Sequence, residues 1–568
     1  MSIVVLVPLL PLIGAFIVLA GGTDTLSLNK RAKIPVYLLG LTLIGSILTL
    51  WHVATQGPII IRFYDPESLA SLVFPMGFYI DRLSAVMMTL ISSVGLIVYS
   101  YALNNLFQDY NARRYLVLKL FTVFVLLCMV SSANIMMLFI FWQLLSYMLY
   151  ILIQNHSHRG TLAGGYTTYT LLRLGDVAFL MGIVLTYHLY GTIEYHTLYE
   201  RIAESPVTLT PIPGFEVSGV TAITFFLFIG GMCKSAQFPF HIWLAGFLFA
   251  PTAVTALLHA GIINACGFLI NRLAPLFGMS STILHVALVV GGITVVVGGL
   301  MMLRQNDNKS TLGYSTIGQM GYMVMECGLG AFALAVFHLI AHGFFKGAFF
   351  LYSGNVINHA RKEPGLPHVT SFEKPAEFSF LTWATGLITT LLIPLIILLV
   401  IHDVLHMPLL ESHGLMIFLF FIWITSTQAI LSLTRIRGVE SWKVSLSMIT
   451  VWFFIIFVYL FLAETFTEFV YPNPAEVEFY LKAAALPEWL FSTIVVAISL
   501  VIITSWSYLY IRDKGGAIHV PGWVESFKVR LFSITLNRFY VEKTYAALGR
   551  VIMRVLNRIV GHDAGWSK

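Results

Sequence analysis

Apolar runs of about 18–25 residues recur along almost the whole chain, each long enough to cross the roughly 30 Å hydrocarbon core of a bilayer as a helix. About fifteen are present, near residues 2–21, 35–54, 80–101, 115–133, 134–154, 165–189, 220–238, 250–272, 283–303, 311–328, 331–357, 376–401, 415–434, 443–464 and 487–511. Hydrocarbon offers the backbone no hydrogen-bond partner, so isolated runs of this kind must pair their own N–H and C=O groups as helices. The pattern predicts an all-α polytopic membrane protein. Charged residues make up only 11% of the 568 and hydrophobic ones 58%, a balance that excludes an ordinary soluble domain. The first run has no charged start and no small-residue cleavage site, so it reads as a retained span and not as a signal peptide.

The connections carry the orientation. Lys30, Arg31 and Lys33, then Arg113 and Arg114, Arg159, Arg304 and Lys309, Arg361, Lys362 and Lys374, and Arg435 and Arg437 fall in odd-numbered connections. The even ones hold acids such as Glu194, Glu200, Glu204, Asp403, Glu411, Glu468, Glu476 and Glu478. The positive-inside rule then predicts an N-terminus outside and a cytoplasmic C-terminal tail. In that tail, residues 513–568, the apolar Val529, Phe532, Leu536 and Phe539 follow helical spacing among lysines and arginines. Such a segment lies on the membrane surface or against a partner and does not span. The longest polar connections, 55–79, 191–219, 358–375 and 465–486, are short enough to be caps and loops.

Cys128, Cys233, Cys266 and Cys327 all sit in or beside apolar runs, without a CxxC pair. No dinucleotide or phosphate-loop motif is present. No cofactor is therefore indicated in this chain, and no nucleic-acid partner is implied.

Ionisable residues inside the runs carry the functional signal, because membrane helices hold such groups mostly on proton or ion routes. In AVFHLIAHGFFKGAFFL, His338, His342 and Lys346 are four apart. Each step turns about 40° round a helix, so they form one slowly turning stripe. HLIAH lacks a glutamate after its first histidine and a third ligand, which favours a proton relay over a metal site. In GMCKSAQFPFHIW, Lys234 stands about one turn before Pro239, where a helix must break, and His241 just past it. His259 occupies the following run. Arg173 and Asp176 are three apart and can pair with each other, as a structural clasp or as a gate. Glu326 ends the tenth run as an interfacial acid or a proton acceptor. A second break candidate, Pro394, falls five spans after the first. Five is odd, so two such blocks have opposite orientation, the pattern of inverted repeats with broken helices. The chain divides accordingly into N-terminal spans (1–110), two five-helix repeats (111–280 and 281–440), C-terminal spans (441–512) and the tail.

GMCKSAQFPFHIWLAGFLFAPTAVTALLHAG, NKSTLGYSTIGQMGYM, AVFHLIAHGFFKGAFFL, LLRLGD and GFYIDRLSAVM together resemble the antiporter-like subunits of respiratory complex I, closest to the fifth-subunit type, and of Mrp cation antiporters. The resemblance covers about residues 80–360 well. It implies fourteen core helices in two inverted five-helix repeats, broken seventh and twelfth helices, and a proton or sodium path through Lys234, His259, His338, His342 and Lys346. Three departures stand out. FIFWQLLSYMLY puts Gln143 where the family carries a glutamate. LLVIHDVLH puts His402 or Asp403 where the family has its twelfth-helix lysine. AGFLFAPTAV lacks an aspartate. These departures, with MVMECGLGAFALAVFHLIAHG, bring the chain nearer to the membrane subunits of DAB inorganic-carbon accumulation complexes. That resemblance implies a bacterial inner-membrane coupling subunit without a catalytic centre. Its large soluble DabA-like partner, on the cytoplasmic side, resembles a zinc β-carbonic anhydrase. The residues leave open a distal proton-pumping subunit of an NADH–quinone oxidoreductase, an Mrp-type antiporter subunit, or a scaffold with a vestigial channel.

Overall fold

A computed structural model describes residues 2–20, 30–63, 76–105, 112–153, 159–212, 214–246, 252–362 and 464–487, scattered positions from 489 to 511, and 522–560. Helices α1 (Ser2–Leu19), α2 (Ile34–Gln56), α3 (Arg82–Asn105), α4 (Ala112–Val130), α5 (Ile135–Ile153) and α6 (Arg159–Tyr190) match the first six apolar runs. After them come α7 (Tyr195–Glu204), α8 (Gly219–Lys234), α9 (Ile242–Gly246), α10 (Thr252–Leu257), α11 (Ala265–Arg272) and α12 (Ala274–Gly278). Then follow α13 (Ser281–Met302), α14 (Asn308–Gly328), α15 (Phe332–Lys362), α16 (Pro474–Ala483), α17 (Gly522–Leu536) and α18 (Val541–Val560).

Among the described residues six helices, α2, α3, α5, α6, α13 and α15, are long and apolar enough to cross a membrane, and α1 and α8 are shorter apolar ones. On α2, Leu41, Ile44, Leu48 and Trp51 are exposed, an apolar face of the kind that meets acyl chains. The runs near 376–401, 415–434 and 443–464 lie outside the described residues, as do most positions of the run near 487–511. With them lie Pro394, the expected second helix break, residues 363–440 of the second expected repeat, His402 and Asp403.

The all-α expectation needs two small additions. An antiparallel ribbon joins β1 (Ile59–Arg62) and β2 (Gly77–Ile80), with Ile59 opposite Ile80. A second ribbon, β3 (Thr208–Ile212) with β4 (Phe215–Ser218), has an irregularity between Leu209 and Ile212. Both sit in connections, where β-branched pairs can cap the bundle without facing hydrocarbon.

Helix α14 fixes the two ends of the bundle. At its start, Asp307 accepts a hydrogen bond from Ser310 N at 2.7 Å. The Ser310 side-chain hydrogen bond, together with that cap, holds the Asp307 carboxyl below the usual carboxylate range. Near the same end, Arg304 lies over the ring of Phe532 on α17 at 4.2 Å. Its far end, at Gly330, meets Tyr480 of α16. The tail and the ribbon-bearing cap thus occupy opposite ends. Helices α13 and α14 approach backbone to backbone through glycines: a Cβ built on Gly298 would lie 2.5 Å from Gly318 N, and one on Gly291 2.6 Å from Gly321 O. Small residues at such crossings let membrane helices pack closely, since water does not drive them together.

Candidate functional site

The seventh helix breaks as its sequence predicts, but earlier than the proline. Helix α8 ends at Lys234, and Ala236 takes a left-handed backbone conformation with φ 49°. Irregular backbone at this depth survives only where protein satisfies it. Here Trp243 Nε1 donates to Cys233 O at 2.8 Å, and Phe238 N to Thr294 Oγ1 at 3.0 Å. Ser235 Oγ donates to Ile263 O and accepts from Cys266 N at 2.9 Å. The eighth run also departs from a plain span. Between α10 and α11 a π-helical turn, Leu258–Ile262, carries His259. Such turns are rare and concentrate at functional positions.

Around Lys234 the structure gathers residues from three helices. Its ammonium is buried, donates to Trp142 O at 2.8 Å and to Ser146 Oγ, and lies 4.9 Å from the centre of the Trp142 ring. Ser146 Oγ is 3.5 Å from Asp176 Oδ2, and Asp176 pairs with Arg173 at 2.6 Å. Arg173 also donates to Gln143 Oε1 and lies over the Tyr147 and Tyr169 rings. Arg173 and Asp176 therefore do pair, and Gln143 joins them on the arginine. The carboxylate near Lys234 is Asp176, one serine away.

A second set lies between α14, α15 and the π turn. His338 Nδ1 is 2.8 Å from Glu326 Oε1 and its Nε2 2.9 Å from Gln319 Oε1. Both neighbours offer oxygens, an arrangement that a doubly protonated imidazole satisfies with two donors. Glu326 is fully buried and so belongs to the protein interior, not to an interface with water. The next residue on the stripe, His342, has its ring 6.3 Å from that of His338, and neither ring nitrogen has a partner among the described residues. It feels the charges of His338, His259 and Lys346. His259 stacks on Phe350 at 4.4 Å with the planes 2° apart. Lys346 is 4% exposed and donates to Ser315 Oγ at 2.8 Å. Helical spacing aligns His338, His342 and Lys346 on α15, and α14 and the π turn bring Glu326 and His259 to that stripe. Chemically, the group holds several sites that can each take and give a proton.

His241 stands apart from both sets. It is buried beside Phe238, and the charges of Glu542 and Arg538 at the α17–α18 junction reach it. Spacing within one helix could not reveal Ser146, Gln319 and Ser315, because each acts across helices. Lys119, a charge inside the 115–133 run, gives a signal of the same kind as Lys346. A further ion pair, Asp81–Arg272 at 2.9 Å, lines a cavity of about 530 Å3 with Tyr79, Tyr195 and Tyr471 at the end away from the tail. Among the described residues no group of three or more His, Cys, Asp or Glu could hold a metal.

The family model for the NADH:quinone oxidoreductase/Mrp antiporter membrane region matches residues 132–432, and that for the N-terminus of complex I chain 5 matches 68–116. A probable inorganic carbon transporter subunit DabB1 from Halothiobacillus neapolitanus is 38% identical, over 84% of this chain and 86% of its own. The NADH-quinone oxidoreductase subunit L of Neisseria meningitidis is 31% identical over 69% of this chain and 58% of its own. Among solved structures, a chain of the Mrp complex from Dietzia sp. aligns with a TM-score of 0.57 at 17% identity, over 84% of this chain and 99% of that one. A chain of respiratory complex I from Thermus thermophilus gives 0.57 at 17% identity, over 85% and 100%. At those identities the likeness is one of fold.

Proposed function

The chain belongs to the antiporter-like membrane subunits of the NADH:quinone oxidoreductase/Mrp family, and from that premise we propose that it conducts protons, or sodium, to drive inorganic-carbon accumulation by a partner protein. The observation that carries the reading is the connected buried group Glu326–His338–His342–His259–Lys346, with the Lys234–Ser146–Asp176 set beside it. Isolated ionised groups are costly in a bilayer, and a structural clasp needs only one opposite pair. Two lysines and two histidines beyond such pairs are what a stepwise proton path requires.

The carbon-accumulating role rests on the relative named as a probable inorganic carbon transporter subunit. In this reading the chain is a multi-pass subunit of a bacterial inner membrane, with CO2 or bicarbonate handled by a large zinc-containing DabA-like protein in the cytoplasm. The lysines and arginines of the odd-numbered connections, such as Lys30, Arg31, Lys33, Arg113, Arg114, Arg304 and Lys309, support a cytoplasmic tail. The two inverted repeats, with a second half-path ending near His402 and Asp403, belong to the same proposal.

The test uses the native cells. Lys346→Ala, at matched membrane abundance, should abolish inorganic-carbon uptake, and uptake at the wild-type level would remove the relay. Affinity purification of the full chain should bring down one large zinc-binding protein. A set of quinone-reductase subunits instead would make it a distal pump of an NADH–quinone oxidoreductase, the reading favoured by the subunit L relative.

A further inference from the structure

Lys119 belongs to neither set, and its surroundings are unusual for a lysine. It lies on α4, about 10 Å along the helix from Ala112 at the helical rise. A lysine at that depth ordinarily extends its stem toward the nearer headgroups. Lys119 does not. Its side chain is 1% exposed, and its ammonium nitrogen has no hydrogen-bond partner among the described residues. It faces a narrow gap lined by Leu39 of α2, Val98 and Tyr99 of α3, and Leu257 of α10. Tyr99 is the other titratable group on that gap, and its hydroxyl is committed to Ala32 O at 3.1 Å. Helix α1, which also packs on α4, carries no titratable side chain.

The position is as informative as the burial. Leu257, which touches the gap, is the last residue before the π turn that holds His259. The same turn packs on α4 again at Gly261, where an added Cβ would meet Leu126 at 2.9 Å. Helix α4, which bears Lys119, is thus packed against the turn that bears His259, with Lys119 nearer the end where α4 begins.

We propose that Lys119 is a proton-binding amine on the same path, holding a proton between the tail end of the bundle and the π turn of His259. The inference rests on the proton-conducting reading above. A permanently charged, unpaired ammonium here would oppose folding and give nothing in return. An amine that gains and loses a proton in each cycle gives the sequence a reason to keep it.

Lys119→Met separates function from packing, because methionine keeps the bulk and removes the unpaired polar group. In native cells at matched abundance, the variant should lose inorganic-carbon uptake at least tenfold, while the thermal midpoint of the detergent-extracted protein stays level or rises. Lys119→His should restore part of the uptake, with an optimum at lower pH, because imidazole carries a proton in that range. If Met fails to reach the membrane, Lys119→Gln carries the same test. Uptake by Lys119→Met or Lys119→Gln within twofold of wild type, with Lys346→Ala dead, overturns the assignment and leaves the general reading standing. Uptake retained by both Lys119→Met and Lys346→Ala removes the two together. A drop in uptake that tracks a drop in thermal midpoint, without rescue by histidine, makes Lys119 a packing residue and also overturns the proposal.

Discussion

Gly298→Ala adds one methyl group and should disable the path from a distance. The added carbon would lie 2.5 Å from Gly318 N and 2.9 Å from Gly318 Cα. Carbon contacts prefer about 3.5–4.0 Å, so α13 and α14 must separate by about 1 Å. Both opposing atoms are backbone and cannot rotate away. Overpacking of this kind costs about 1–3 kcal/mol, against about 0.5–1 kcal/mol gained when alanine replaces a helical glycine. The residue after Gly318 is Gln319, whose amide oxygen sits 2.9 Å from His338 Nε2. A shift of about 1 Å takes that bond beyond hydrogen-bonding range, and misplacement on that scale can slow a transfer step on the order of 100-fold. The control is the next residue. Gly299 has nothing within 4 Å of its built Cβ, so Gly299→Ala should leave uptake unchanged and raise stability slightly. The Gly291 and Gly292 pair repeats the contrast one helical stretch earlier. The assay is inorganic-carbon uptake in native cells, with thermal unfolding of the extracted protein. Equal uptake and equal thermal midpoints for Gly298→Ala and Gly299→Ala would refute the argument.

Three further outcomes follow from the same contacts. Glu326→Gln keeps the shape but removes the charge that His338 faces at 2.8 Å. The loss of a hydrogen bond to a charged group, about 1.5–3 kcal/mol, should lower uptake tenfold or more, and wild-type uptake would make the contact structural. Asp176→Asn leaves Arg173 and Lys234 without their nearby acid, and breaking a buried pair can cost about 3–5 kcal/mol, so the thermal midpoint should fall clearly; an unchanged midpoint would show the pair adds nothing. Deleting the residues after 520 should release the soluble partner proposed above while the spans stay inserted, and full co-purification of that partner would leave the tail as a lipid-facing helix.

Much of the bundle was legible because hydrophobic length is a strong constraint in a bilayer. The first eleven runs all coincide with helices. The exception in detail is 250–272, which reads as one span and contains the π turn, since π geometry has no composition signal of its own. The stripe of His338, His342 and Lys346 was legible because it lies on one helix, where spacing fixes direction. Its partners were not. Gln319, Ser315 and Ser146 are ordinary polar residues until another helix brings a charge to them. Pro239 marked the break correctly, yet α8 stops at Lys234 because Ser235 and Trp243 give the chain partners outside the helix. The ribbons at 59–80 and 208–218 fall in connections whose short β-branched stretches are masked by the long apolar runs around them.

Counting charge in each set explains why both have a lysine at their centre. In the first, Arg173 and Asp176 cancel when ionised, so Lys234 is left with the hydroxyl of Ser146 and the carbonyl of Trp142 as its direct partners. In the second, His338 and Glu326 cancel, and Lys346 is left with the hydroxyl of Ser315 and the carbonyl of Leu312 at 3.5 Å. Each lysine is thus held by neutral oxygens from a neighbouring helix, while Asp176 and Glu326 each pair with another cation. Neutral acceptors steady an ammonium far less than a carboxylate does. Gln143 fits that pattern. A glutamate there would add a second negative charge beside Arg173, freeing Asp176 to face Lys234 through Ser146. The glutamine keeps the first set one positive charge in excess, so Lys234 lacks a carboxylate of its own, just as Lys346 does.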